Sequence, residues 1–137
     1  MSAITVPPAS TTAKDSFLRF ALRLDAVISG VMGVVGVAIA PQLSSLSGTT
    51  TAFEYTLSAF FIVYGVTVVA LSRRTSVRQT GRAVVIGNLV YTVATVIAVL
   101  AGVWPLTTTG IVLTLGSGVF TLVMADLQYL GLRRMRG

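Results

Sequence analysis

Only fourteen side chains carry charge in this 137-residue chain: ten Lys/Arg and four Asp/Glu, with no histidine and no cysteine. Without cysteine there is no disulfide, thiolate metal site or thiol nucleophile. Without histidine the commonest general base and metal ligand is gone. Serine and threonine are plentiful, but no base stands ready to activate them, and neither a lysine-bearing glycine-rich phosphate loop nor an HExxH pattern occurs. The chain is therefore not expected to be an enzyme or to hold a cofactor or metal. What remains is a small set of polar residues inside apolar stretches: Asp25, Asn88 and Asp126, with Arg23 and Arg82 beside them. Paired with arginines, these carboxylates would form an ionic layer. Left unpaired, they could carry protons or cations.

The composition decides what positions these residues. Hydrophobic residues make up 54% of the chain and charged residues 10%, against about 25% charged in an ordinary soluble domain. A soluble globule of this size needs a largely polar surface, and a disordered chain needs the opposite composition. Both are excluded. The charges leave 28 uncharged residues between Asp25 and Glu54, 18 between Glu54 and Arg73, and 43 from Ala83 to Ala125. A membrane-crossing helix takes roughly 20 residues, so the first two runs hold one span each and the third holds two. Trp104-Pro105 followed by Thr107-Thr108-Thr109-Gly110 divides the third run: proline breaks the ladder and a threonine caps the next helix. Spans are predicted near 26–43, 55–72, 83–103 and 108–130. The runs are continuous rather than alternating, which favours helices over barrel strands. The fold class is thus all-α, a four-helix transmembrane bundle. Residues 1–13 read as a flexible N-terminal tail and residues 14–137 as a single membrane domain. The stretch Ser16–Ala26 reads as an extension of the first span, since no breaker separates the two.

All ten basic residues fall into three clusters: Lys14, Arg19 and Arg23; Arg73, Arg74, Arg78 and Arg82; Arg133, Arg134 and Arg136. Four spans put these clusters on one side. Positive charge is retained in the cytoplasm, so both termini and the central loop are expected inside a bacterial cytoplasmic (inner) membrane. Phe53, Tyr55 and Trp104 then fall at the outer interface, and Phe17, Phe20 and Tyr129 at the inner one. The net charge of +6 reads as a topology signal and as an attraction for anionic lipid headgroups, not as a nucleic-acid surface. Glu54 is the one charge on the outer side and suits the positive start of the second span.

Small residues recur where spans should meet. The first span offers Asp25, Ser29, Gly33, Gly36 and Ala40. The second offers Ser58, Ile62, Gly65, Val69 and Ser72, the third Asn88, Tyr91, Thr95, Ala98 and Gly102, the fourth Thr114, Gly118, Thr121 and Ala125. Their spacings of three and four are those of left-handed bundle seams. An offset of 60 residues relates Phe60, Val63 and Arg73-Arg74 to Phe120, Val123 and Arg133-Arg134, as a duplicated hairpin would.

The stretches Leu22-Arg23-Leu24-Asp25-Ala26-Val27, Gly87-Asn88-Leu89 with Tyr91, and Leu127-Gln128-Tyr129-Leu130-Gly131-Leu132-Arg133-Arg134 resemble a group of small four-span integral membrane proteins of high-GC bacteria. Nine arginines to one lysine suit that source. The resemblance covers roughly residues 18–134 and implies fold and location rather than mechanism, since most members have no assigned function. In size and span number the chain is also similar to the small multidrug-resistance transporters, dimers with a carboxylate in the first span. It departs from them in having Asp25, near the inner boundary, where they have a mid-span glutamate. The expected function is a non-enzymatic accessory or scaffold subunit packed against another membrane protein or a second copy. The alternative is a small dimeric proton-coupled transporter using Asp25.

Overall fold

The computed structural model describes residues 9–136, with side chains from 14 to 135. The helices follow the uncharged runs: α1 (Ala9–Ala38), α2 (Ala40–Ser47), α3 (Thr51–Leu71), α4 (Arg78–Ala101) and α5 (Thr108–Arg136). Four of them are long and apolar enough to cross a membrane, over Lys14–Ala38, Thr51–Leu71, Arg78–Ala101 and Thr108–Met135. Among the described residues there is no strand. The chain is a helical bundle with the architecture of a multi-pass membrane protein.

Each boundary has a local cause. The first span stops at Ala38, earlier than expected, because Ile39 leaves helical geometry and Pro41 stands at the start of the next helix. Proline has no N–H with which to continue the ladder. The rest of that apolar run becomes the separate α2, closed by Gly48 at φ 82°, a left-handed position that glycine fills without steric cost. The Thr50 hydroxyl then caps α3, accepting from the Phe53 N–H at 3.1 Å. Thr107 caps α5 in the same way, accepting from the Gly110 N–H at 3.0 Å. At its other end α1 is continuous through Ser16–Ala26, as expected, and runs back to Ala9. It thus takes in part of the stretch read as a tail, while residues 1–8 lie outside the described residues. The last helix also runs beyond 130, to Arg136.

The α3 C-terminus is held by arginines of α1. The Arg19 guanidinium donates to the carbonyls of Ser72, Arg74 and Thr75 at 2.7–2.8 Å. Arg23 donates to the Ser72 hydroxyl at 3.1 Å and to its carbonyl at 3.4 Å. Cations suit the negative end of a helix and satisfy its last carbonyls.

In cross-section the spans run α3, α1, α5, α4. α1 packs closely on α3, α4 on α5, and α1 on α5 joins the two hairpins, while α3 and α4 barely approach one another. At the arginine-rich end Leu18, Leu22, Ala26, Val68, Val77, Val84 and Leu132 form the apolar core. Valines such as Val34, Val66 and Val90 stand fully outward, as side chains facing lipid do.

The glycine seams explain the α1–α3 pairing. A Cβ on Gly33 would lie 2.6 Å from the Ser58 carbonyl oxygen and 3.0 Å from the Ile62 nitrogen. Gly36 lies against the Ser58 side chain and Gly118 against Thr95, while Ser29 is buried on the same α1 face. Gly102, expected in a seam, is not in one: a Cβ there meets nothing within 4 Å, and its φ of 63° makes it the C-cap of α4. Ala98 is half-buried and faces a cavity. Gly33→Leu is expected to overpack the α1–α3 contact and lower stability by about 1–3 kcal/mol. Val34→Leu, on the outward face, should be near neutral. Unfolding of both variants in mixed micelles checks this, and equal stabilities would remove Gly33 from the seam.

Candidate functional site

The four spans converge on one carboxylate. Asp25 is fully buried on α1. Its Oδ2 accepts three interhelical hydrogen bonds: from the Tyr64 hydroxyl of α3 at 2.7 Å, from Asn88 Nδ2 of α4 at 2.9 Å and from Gln128 Nε2 of α5 at 2.9 Å. Its Oδ1 accepts from the Ser29 hydroxyl, one turn along α1, at 3.1 Å. Asn88 Nδ2 also donates to Gln128 Oε1 at 3.0 Å, closing a triangle of Asp25, Asn88 and Gln128. Asn88 is buried and Gln128 fully so. Lipid offers no replacement partners, so such groups must satisfy one another.

Seams of small residues make this convergence possible, because they let the backbones approach closely enough for short polar side chains to meet. The hub lies six residues from Arg82 along α4 and five from Arg133 along α5, about 8–9 Å at 1.5 Å per residue. Leu18, Leu22 and Leu132 seal it from the arginine-rich end. Towards the opposite end a hydroxyl ladder runs along α4 and α5. Thr92 shares a hydrogen bond with Thr121 at 2.7 Å, and Tyr91 shares one with Ser117 at 3.0 Å. Tyr91 and Ser117 also line a cavity of about 350 Å³ that occupies the space left between α3 and α4.

The expected ionic layer is not what forms. Among the described residues the only ion pair is Asp15–Arg19, at 3.1 Å. Asp25 is held by neutral donors, because Arg23 lies two residues away, on a different side of α1, and turns to Ser72. Asp126 is exposed, next to the buried Ala125. Arg82 is exposed as well and lines a cleft of about 240 Å³ with Arg78, Val85, Ile86, Tyr129 and Leu132. Of the five polar residues nominated from sequence, the structure brings together Asp25 and Asn88 and leaves Arg23, Arg82 and Asp126 outside.

Sequence reasoning misses Tyr64 and Gln128. Gln128 has a readable signal: the fourth-span seam of Thr114, Gly118, Thr121 and Ala125 continues at the same spacing to Gln128 and Leu132. Tyr64 has none, being one aromatic in an aromatic-rich span. No group of three His, Cys, Asp or Glu side chains that could hold a metal occurs among the described residues. The hub offers one carboxylate ringed by donors, an arrangement that orders four helices or keeps a single exchangeable proton. No protein-family model, curated protein or solved structure matches the chain.

Proposed function

We propose that the chain is a non-enzymatic accessory or scaffold subunit of a bacterial cytoplasmic-membrane complex, with Asp25 as the tie that gives its four spans one arrangement. The observation that carries this reading is the complete enclosure of Asp25, with hydrogen bonds from α1, α3, α4 and α5 and apolar packing beneath it. A carboxylate so enclosed specifies a fold. The outward apolar faces of the spans are left for lipid and for another membrane protein or a second copy. The likeness to small four-span proteins of high-GC bacteria suits the membrane location. The cleft of Arg78 and Arg82 over Val85 and Ile86 suits anionic lipid headgroups at the inner surface.

The clustering of every basic residue supports an orientation with both termini and the central loop in the cytoplasm. Cysteines introduced as Thr49→Cys and Thr108→Cys are expected to react with an impermeant maleimide added to intact cells. Ser76→Cys should react only after permeabilisation. Reaction of Ser76→Cys alone from outside would invert the orientation.

The scaffold reading is tested by the size of the species extracted from native membranes directly into polymer nanodiscs. It expects a particle larger than one chain, containing a second membrane protein or further copies. A particle holding one copy and lipid would contradict it. One observation favours the transporter alternative: the cavity ends at Tyr91, one turn from Asn88, which bonds Asp25. A proton-coupled carrier would extend that cavity to the carboxylate during its cycle.

A further inference from the structure

Among the described residues, Glu54 is the only charged side chain at the end of the bundle away from the arginines. It is buried, at 9% exposure. It accepts a hydrogen bond from the Thr49 hydroxyl and lines the cavity between α3 and α4. No basic side chain can reach it, since all ten lie in the three clusters at the other end, and the only ion pair among the described residues is elsewhere. A buried carboxylate without a countercharge is costly to keep. The N-terminus of α3 and the Thr49 hydroxyl offset part of that cost.

The rest of the cavity wall indicates what would supply the missing charge. Four aromatic rings line it: Phe53 and Trp104, with centroids 4.3 Å apart, and Phe61 and Tyr91, 5.8 Å apart. Aromatic faces attract cations, most strongly where water is excluded. The volume of about 350 Å³ falls within the range of small-molecule sites. A hard metal ion would require six or more oxygen ligands, carboxylates foremost, and the cavity wall supplies a single carboxylate, Glu54, beside neutral hydroxyls and hydrocarbon. An anion would meet Glu54. A lipid chain would fill the apolar volume and leave the carboxylate uncompensated.

We infer that this cavity is a binding site for a small organic ammonium ion with an apolar or aromatic body, with Glu54 as countercharge and Phe53, Phe61, Tyr91 and Trp104 as its aromatic walls. The site does not involve Asp25, so it stands or falls separately from the scaffold reading.

Trp104 is the only tryptophan, and its emission reports the cavity directly. The full chain in nanodiscs is titrated with phenyltrimethylammonium and, separately, with its neutral isostere tert-butylbenzene. The cation is expected to change Trp104 emission saturably, and the isostere to give no saturable change. Glu54→Gln should weaken cation binding at least tenfold, whereas Asp126→Asn, a carboxylate removed at the other end, should leave it unchanged. Ala94→Leu adds bulk at an exposed position on the cavity wall without touching the charge. It should weaken binding too, so the inference is testable even if Glu54→Gln fails to fold. Native affinity in a folded Glu54→Gln protein, equal saturation by the isostere, or no saturable response to the cation would each overturn the inference.

Discussion

Asp25→Ala is expected to destabilise the bundle by about 2–5 kcal/mol, enough to lower its abundance in the membrane severalfold. The variant removes one side chain and strands donors on four helices: the hydroxyls of Ser29 and Tyr64 and the amides of Asn88 and Gln128. An interhelical hydrogen bond in lipid contributes about 0.6 kcal/mol on average and up to about 1.7 kcal/mol. Three such bonds end on a single oxygen of Asp25, and stranded buried donors add their own penalty. The Asn88–Gln128 bond survives, which keeps the loss below a simple sum. Asp25→Asn should behave differently. Asparagine keeps the shape and one accepting oxygen for Tyr64, Asn88 and Gln128, and its amide can donate to Ser29, whose hydroxyl also accepts. Its cost should stay under about 1 kcal/mol. The expected order of unfolding midpoints in mixed micelles is therefore native, Asp25→Asn, then Asp25→Ala well below. An Asp25→Ala protein as stable as the native one would remove Asp25 as the tie of the bundle.

Gly65→Leu should be among the most damaging packing changes. A Cβ at Gly65 would lie 2.6 Å from the Ala26 carbonyl oxygen, 3.0 Å from the Gly30 Cα and 3.1 Å from the Gly30 nitrogen. These are backbone atoms of α1, so relief requires moving the whole helix. Overpacking usually costs about 1–3 kcal/mol. Here the loss should reach or pass the upper end of that range, because Asp25 and Ser29 sit on the same stretch of α1 and would be displaced with it. Gly87→Leu is the control, since a Cβ there meets nothing within 4 Å. The pair should differ by at least about 2 kcal/mol in the same unfolding assay, and similar midpoints would mean that α1 and α3 do not meet at Gly30 and Gly65.

The span count is legible in the sequence because charge spacing and hydrocarbon thickness constrain it together. The break at Trp104-Pro105 is legible from proline chemistry. The end of the first span is not: Pro41 marks it, but the uncharged run continues across that proline and hides the stop. The polar site is legible by depth and not by face. Asp25, Asn88, Arg23, Arg82 and Asp126 all belong to one level of the bundle, but only Asp25 and Asn88 stand on the small-residue seams that face inward. Asp126 directly follows the inward-facing Ala125, and this one-residue step, about 100° around a helix of 3.6 residues per turn, turns it out of the interior. The pairing of charges is not legible either. Arginine near a helix end finds free backbone carbonyls at the α3 terminus, which accept its hydrogen bonds as well as a carboxylate would. Tyr64 cannot be foreseen, since its hydroxyl matters only once α1 and α3 cross at glycines.

The central claim, that Asp25 ties the spans together and carries nothing across the membrane, is tested most directly by reconstitution. The native chain and Asp25→Asn, each verified as folded by its unfolding midpoint, are placed in liposomes under an imposed pH gradient, and proton flux is followed with an entrapped dye. The account predicts superimposable traces from the two proteins. A flux in the native protein that is missing from a folded Asp25→Asn protein would contradict it and make Asp25 the proton carrier of a transporter.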